Sequence, residues 1–167
     1  MTVFPAEITE QAKVIIERFA ARGLSVATAE SCTGGLIAGS LTDIAGSSAV
    51  VDCGFVTYSN EAKMAMIGVS PSSLDAHGAV SEQVAREMAL GAINASRAHL
   101  SVAVTGIAGP GGGSAEKPVG LVHIAAAARS GQIFHRKMEY GDLGRDGIRL
   151  ATVKTALSML QELALEL

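Results

Sequence analysis

Three stretches of the chain hold residues whose types and spacing suit chemistry. The first is Thr28-Ala29-Glu30-Ser31-Cys32-Thr33-Gly34-Gly35, three small polar residues and two glycines behind a short alternating run, Leu24-Ser25-Val26-Ala27. Leu36, Ile37, Ser40, Leu41 and Ile44 follow at helical spacing, so the stretch reads as a strand-turn-helix junction. Free backbone N–H groups gather at such a helix start, where the dipole favours developing negative charge. A hydroxyl or thiol placed there would be a nucleophile with donors beside it; the plainer role for Ser31, Cys32 and Thr33 is helix capping.

The second stretch, Thr57-Tyr58-Ser59-Asn60-Glu61-Ala62-Lys63, puts a phenol and an amine between a strand and a helix. A serine beside a neutral lysine forms an acyl-transfer pair, provided desolvation or a nearby cation lowers the lysine pKa. Taken singly, Lys63 reads equally as a solvated helix lysine and Tyr58 as a half-buried strand aromatic. The third stretch, Thr105-Gly106-Ile107-Ala108-Gly109-Pro110-Gly111-Gly112-Gly113, leaves another strand. It is neither a Walker A sequence nor a dinucleotide-binding fingerprint, yet its backbone N–H groups suit a phosphate. Ligands in open α/β sheets sit outside the carboxyl ends of strands, so three such exits are expected to line one crevice.

Cys32 is the rival nucleophile, since a thiol at a helix start can have a lowered pKa. No Cys–His pattern accompanies it: His77, His99, His123 and His135 share no spacing, and Ser31 is favoured. His123 reads as a hydrogen-bonded core residue, and Cys53 as a small buried hydrophobe. Arg145 and Arg149, four apart, either reach an anionic ligand or pair with Asp142 and Asp146.

The elements that position these residues follow from periodicity. Ile8, Ala12, Ile15, Ile16 and Phe19 form a helix face ending near Gly23, and the helix after Ser31 runs to about Ile44. Ala45–Ser48 reads as a loop and Val50–Tyr58 as a strand. Asn60 caps a short helix that Gly68 ends, and a loop crosses Pro71 to Gly78. Ser81 opens a helix with Val84, Met88, Gly91, Ala92 and Ala95 on one side. Leu100–Val104 is a buried strand. Val119–Ala127 and Ile133–Tyr140 form a hairpin through Arg129-Ser130-Gly131. A last helix starts near Asp142 to Asp146 and presents Leu150, Val153, Leu157, Leu160 and Ala164. The class is α/β, a three-layer α/β/α sandwich with a mixed, mostly parallel sheet, in one domain over 1–167.

Composition narrows the function. The 167 residues are 49% apolar but only 4% aromatic, so Ala, Val, Leu and Ile must build the core. A net charge of −3 provides no basic footprint for nucleic acid or an acidic membrane. No run reaches membrane-spanning length, and the start, Met1 to Glu7, lacks the features of a secretory signal. Two cysteines have neither a disulfide framework nor metal-ligand spacing. These features predict a cytoplasmic protein that binds neither nucleic acid nor membrane.

Five ordered blocks then coincide with a known pattern: Ala29 to Gly35, Tyr58 to Lys63, His77-Gly78-Ala79-Val80-Ser81, Thr105 to Pro110 and Glu116-Lys117-Pro118-Val119-Gly120. Together they resemble the CinA C-terminal domain family over nearly the whole chain. The family includes nicotinamide-nucleotide amidohydrolases, which convert nicotinamide mononucleotide to nicotinic acid mononucleotide and ammonia in pyridine-nucleotide salvage. The resemblance implies an α/β/α domain, a homodimer, and deamidation without metal or cofactor.

It further implies Ser31 as nucleophile, Lys63 as general base and Tyr58 as an aid to proton transfer. Ser48, Thr105 and Arg145 fall where relatives contact or support the ligand. The N–H groups around Cys32, Thr33 and Gly34 become oxyanion donors, and Gly106, Gly109, Gly111 and Gly112 with Arg145 a phosphate site. Relatives with an additional N-terminal domain are nucleotide pyrophosphatases, an activity not expected here. Val51-Asp52-Cys53-Gly54 departs from the family's aromatic and paired-glycine forms, and two residues separate Asp142 from Arg145. A nucleotide-binding, competence-associated partner protein without turnover is the alternative function, and another small anionic amide the alternative substrate.

Overall fold

A computed structural model describes residues 2–167; Met1, where the reading of the amino-terminal segment begins, lies outside them. Helix α1 spans Ala6–Arg22, and its apolar face of Ile8, Ala12, Ile15, Ile16 and Phe19 is buried. Gly23 ends it at φ 65°, a left-handed conformation that glycine adopts without strain.

Strand β1 is Val26–Glu30, later than the expected 24–27. All five of its residues are buried, because both edges pair with strands and both faces are covered by helices. Polar Thr28 and Glu30 therefore belong to the strand, which the alternating pattern had ended at Ala27. Helix α2 (Leu36–Thr42) and a single 3-10 turn at Ser47–Ala49 lead to β2, Val51–Val56. Cys53 on this edge strand is half-buried, where full burial was expected.

Helix α3 spans Asn60–Ile67, capped by the Ser59 side chain accepting from Ala62 N–H, one residue before the predicted cap. The segment expected as a loop forms helix α4, Pro71–His77. Proline at the first helical position has no N–H to lose and a φ already suited to the helix. Helix α5 is Glu82–Asn94, opened by Ser81 as predicted. Strands β3 (Leu100–Gly106), β4 (Leu121–Ala128) and β5 (Ile133–Glu139) precede helix α6, Gly144–Leu165.

The strands lie in the order β2-β1-β3-β4-β5. β1 runs parallel to β2 and β3, and β4 is antiparallel to both its neighbours, so only β4 points the other way. One sheet face carries α1, α2 and α6 over Val102, Val104, Val122 and Ile124. The other carries α3, α4 and α5 over Ala27, Ala29, Ala103, Ala125 and Ala127. An alanine-lined face lets α5 lie close to the sheet, and α5 also touches α3 tightly. A Cβ at Gly91 would fall 1.9 Å from the Ile67 carbonyl oxygen, so only glycine fits.

This topology places the functional edge. The chain leaving β1 enters α2 on one face, and the chain leaving adjacent β2 enters α3 on the other. A crevice therefore opens at the carboxyl ends of β1 and β2, the topological switch point of the sheet.

Candidate active site

Ser31 is the first residue beyond β1. Its N–H still donates to Val104 O (3.1 Å), continuing the β3 pairing, and its carbonyl accepts from Gly34 N–H (3.0 Å), closing a tight turn. Gly34 and Gly35 have φ 57° and 103°, values that exclude other residues without strain. Only 9% of Ser31 is exposed.

Glu30, just before it, is buried and anchors the turn. Its carboxylate accepts from Thr33 Oγ1 (2.6 Å), Ile37 N–H (2.9 Å), Ala38 N–H (3.0 Å) and Thr28 Oγ1 (3.4 Å). Gly35 at the start of α2 has no side chain to satisfy the first free N–H groups, and Glu30 takes that part. The carboxylate's charge also suits the positive end of the helix.

Lys63 reaches the same point from the β2 side. Helix α3 directs its side chain inward, and the residue is 1% exposed. Nζ lies 3.1 Å from Ser31 Oγ, 2.8 Å from Thr57 O and 3.4 Å from Tyr58 O. Burial pushes its pKa below the ordinary lysine range, and the weaker opposing influence is Cys32. Among the described residues no carboxylate forms an ion pair with it. A neutral amine has two N–H donors and one lone pair. Two carbonyl oxygens can take the donors, leaving the lone pair for the Ser31 hydroxyl proton.

Cys32 is 5% exposed, and burial pushes its thiol up to about 11. At neutral pH it stays protonated, which leaves Ser31 as the group beside a base. The predicted oxyanion donors divide. Gly34 N–H is already committed to Ser31 O, whereas Cys32 and Thr33 N–H have no acceptor among the described residues.

The outer wall of the site is polar. Tyr58 is 63% exposed, and its phenol oxygen accepts from Arg145 Nη2 at 3.4 Å; the main-chain carbonyl meets Lys63, whereas the phenol bonds neither Ser31 nor Lys63. Arg145 Nη1 donates to Gly109 O at 2.7 Å, so this guanidinium ties the glycine-rich loop to the β2 exit. A cavity of ≈ 330 Å³ lies beside it, lined by Ala108, Pro110, Val119, Gly141, Asp142, Gly144 and Arg145. Gly106 backs onto β4, where a Cβ would meet Val122 at 2.6 Å. Gly109, Gly111 and Gly112 N–H have no acceptor among the described residues.

Other predicted residues lie elsewhere. Thr105 neighbours Ser31 across the sheet, but its hydroxyl donates to Ala79 O (2.9 Å) and holds the segment before α5. Ser48 is not brought to the site: it precedes β2, and β2 runs parallel to β1, so it sits exposed at the opposite end of the strands. His123 is mostly buried, and its Nδ1 meets His135 Nε2 at 2.9 Å in a stacked pair. Burial holds His123 down at about 4, and neither ring contacts Ser31.

Two site residues take parts that the sequence did not reveal. Glu30 stood within the Ser31 block, and only its burial seven residues before Ile37 reveals the cap. Arg149 was expected to meet an anion or an aspartate. Instead its Nε donates to Cys32 O and its Nη2 to Thr33 O, both at 3.1 Å.

Known proteins match both the sequence and this geometry. The family profile of the CinA C-terminal domain covers residues 8–164. Nicotinamide-nucleotide amidohydrolase PncC from Enterobacter agglomerans is 55% identical over 144 residues, 85% of this chain and 87% of that protein. The protein of the same name from Escherichia coli is 52% identical over 156 residues, 93% of each chain. The crystal structure of competence/damage inducible protein CihA from Agrobacterium tumefaciens superposes with a TM-score of 0.97 at 64% identity, covering 98% of this chain and 99% of that one. With five ordered motif blocks, a profile match along nearly its whole length and a near-superposable solved relative, this chain belongs to the CinA C-terminal domain family.

Proposed function

We propose that the chain hydrolyses the carboxamide of nicotinamide mononucleotide, forming nicotinic acid mononucleotide and ammonia through an acyl-enzyme on Ser31. The observation that carries this reading is the buried Lys63 Nζ, with no carboxylate partner among the described residues, 3.1 Å from Ser31 Oγ. The names of the amidohydrolase relatives supply the substrate.

In the first half-reaction Ser31 Oγ attacks the carboxamide carbon as its proton passes to the Lys63 lone pair. The carbonyl π electrons move to oxygen, where Cys32 and Thr33 N–H receive the negative charge. Collapse of the tetrahedral intermediate breaks the C–N bond, and Lys63 returns its proton to the departing nitrogen, releasing ammonia. In the second half-reaction water attacks the ester carbon, Lys63 takes the water proton, and that proton returns to Ser31 Oγ as the ester breaks. A base near neutrality is needed at both steps, and desolvated Lys63 is suited to it.

Arg145 and the N–H groups of Gly109, Gly111 and Gly112 bind the ribose phosphate on this reading, and Thr105 and Gly106 support that wall. Tyr58 orients Arg145 and closes the nicotinamide end. The protein acts as a cytoplasmic homodimer in pyridine-nucleotide salvage.

Ammonia release from nicotinamide mononucleotide, nicotinamide riboside and free nicotinamide tests the proposal. Turnover of the mononucleotide, with the other two far slower, is the expected result. Equal turnover of all three overturns the phosphate site, and no turnover of any overturns the activity.

A further inference from the structure

Arg149 occupies the far side of the nucleophile turn. It rises from the first turns of α6, half-buried, and spends two arms of its guanidinium on consecutive main-chain carbonyls, Cys32 O and Thr33 O. A Cβ on Gly34 would lie 3.5 Å from its Nη2, so the guanidinium rests directly against the turn. Neither Asp142 nor Asp146 pairs with it.

The consequence follows from peptide planarity. The Cys32 carbonyl and the Thr33 N–H belong to one trans peptide unit and point in opposite directions. Holding the Cys32 oxygen toward α6 therefore turns the Thr33 N–H away from α6. The Thr33 carbonyl is coupled in the same way to Gly34 N–H, whose bond to Ser31 O keeps the turn closed. A cation on a carbonyl oxygen also withdraws electrons through the amide, which strengthens the N–H as a donor. Thr33 N–H thus lies two residues after the nucleophile, fixed in direction, polarised, and without an acceptor among the described residues.

We propose that Arg149 is a positioning residue for oxyanion stabilisation: its fork sets and polarises the Thr33 N–H that receives the negative charge of the tetrahedral intermediate. The inference rests on the Ser31 acyl-enzyme reading. It concerns the transition state rather than the ground state, so Arg149 governs kcat and leaves KM nearly alone. It also leaves the pH midpoint nearly alone, because Lys63 supplies that midpoint and Arg149 bonds the turn's carbonyls rather than Nζ.

The test compares Arg149→Lys, Arg149→Gln and Arg149→Ala with the wild-type protein and Ser31→Ala, on nicotinamide mononucleotide, each assayed well below its measured Tm. Losing one well-placed oxyanion donor lowers kcat by about 10²–10³-fold in acyl-transfer enzymes. Arg149→Gln is expected to lose about 10²-fold in kcat, with KM and the pH midpoint unchanged. Arg149→Lys, which reaches one carbonyl, should fall between, and added guanidinium should restore part of the Arg149→Ala rate. A folded Arg149→Gln protein with wild-type kcat overturns the inference, as does a loss confined to KM or one that guanidinium leaves untouched. Ser31→Ala separates the two proposals. If it is inactive while the Arg149 variants keep wild-type kcat, only the Arg149 inference falls; if it turns over at the wild-type rate, the acyl-enzyme reading falls and takes the inference with it.

Discussion

Ser31 Oγ and Lys63 Nζ, 32 residues apart in sequence, meet at 3.1 Å where the exits of two parallel strands diverge to opposite faces of the sheet. The contact depends on the fold more than on either residue. β1 delivers the hydroxyl, β2 and the Ser59 cap start α3 at the right height, and the Thr57 and Tyr58 carbonyls receive the buried amine.

Activity should follow the deprotonation of Lys63. Its pKa is lowered by burial, so log kcat/KM should rise with pH to a plateau, with a midpoint below 10.5. Stability should share that dependence. The unfolded chain holds the Lys63 proton up to its ordinary pKa while the folded chain releases it earlier. Between the two values the unfolded state binds more protons, so stability increases with pH. Urea melts from pH 7 to 10 check this: Lys63→Met should lose that part of the slope, and an unchanged slope contradicts the assignment.

Glu30→Ala should destabilise the protein by about 2 kcal/mol or more, because it strips a buried, four-bonded carboxylate from the start of α2. Glu30→Gln retains two acceptor positions at most and should fall between. Chemical denaturation gives both values, and a loss below about 0.5 kcal/mol for Glu30→Ala contradicts the capping role.

Arg145→Ala should raise KM for the mononucleotide by about tenfold or more while changing kcat less, since it removes a charged contact from the bound substrate. The effect should vanish with nicotinamide riboside, which lacks the phosphate. Steady-state kinetics on both substrates check the prediction, and equal losses on the two place Arg145 in loop support alone.

Tyr58→Phe keeps the carbonyl that holds Lys63 and loses only the phenol that accepts from Arg145. It should cost about tenfold at most in kcat, whereas Lys63→Met should cost about 10²–10⁴-fold, the usual range for a general base. A Tyr58→Phe loss as large as that of Lys63→Met makes the phenol a direct proton carrier.

Much of the fold is written locally. The apolar stripe of α1, the Ser81 cap and the Gly23 and Gly68 stops specify their elements through nearest neighbours, and each stands where expected. Errors arise where local and tertiary preferences conflict. The alternating pattern stops at Ala27, yet pairing on both edges extends β1 through Thr28 and Glu30. Pro71 looks like a loop marker, yet at a first helical position it starts α4.

The site divides along similar lines. Ser31, Lys63 and the glycine-rich loop were visible as residue types at strand exits. The burial that lowers the Lys63 pKa has no local signature, because the exits of β1 and β2 enclose Nζ from separate parts of the chain. Arg149 was visible as a cation, but main-chain carbonyls carry no sequence signal, so its partners were not. Ser48 was named by resemblance to relatives, and the direction of β2 puts it at the other end of the sheet.

A covalent bond between the substrate's acyl carbon and Ser31 Oγ can be caught by intact-protein mass spectrometry after rapid acid quench with nicotinamide mononucleotide. The expected result is a nicotinoyl-nucleotide adduct that maps to the peptide containing Ser31, absent from Ser31→Ala, which releases no ammonia. A Ser31→Ala protein that releases ammonia at the wild-type rate contradicts it.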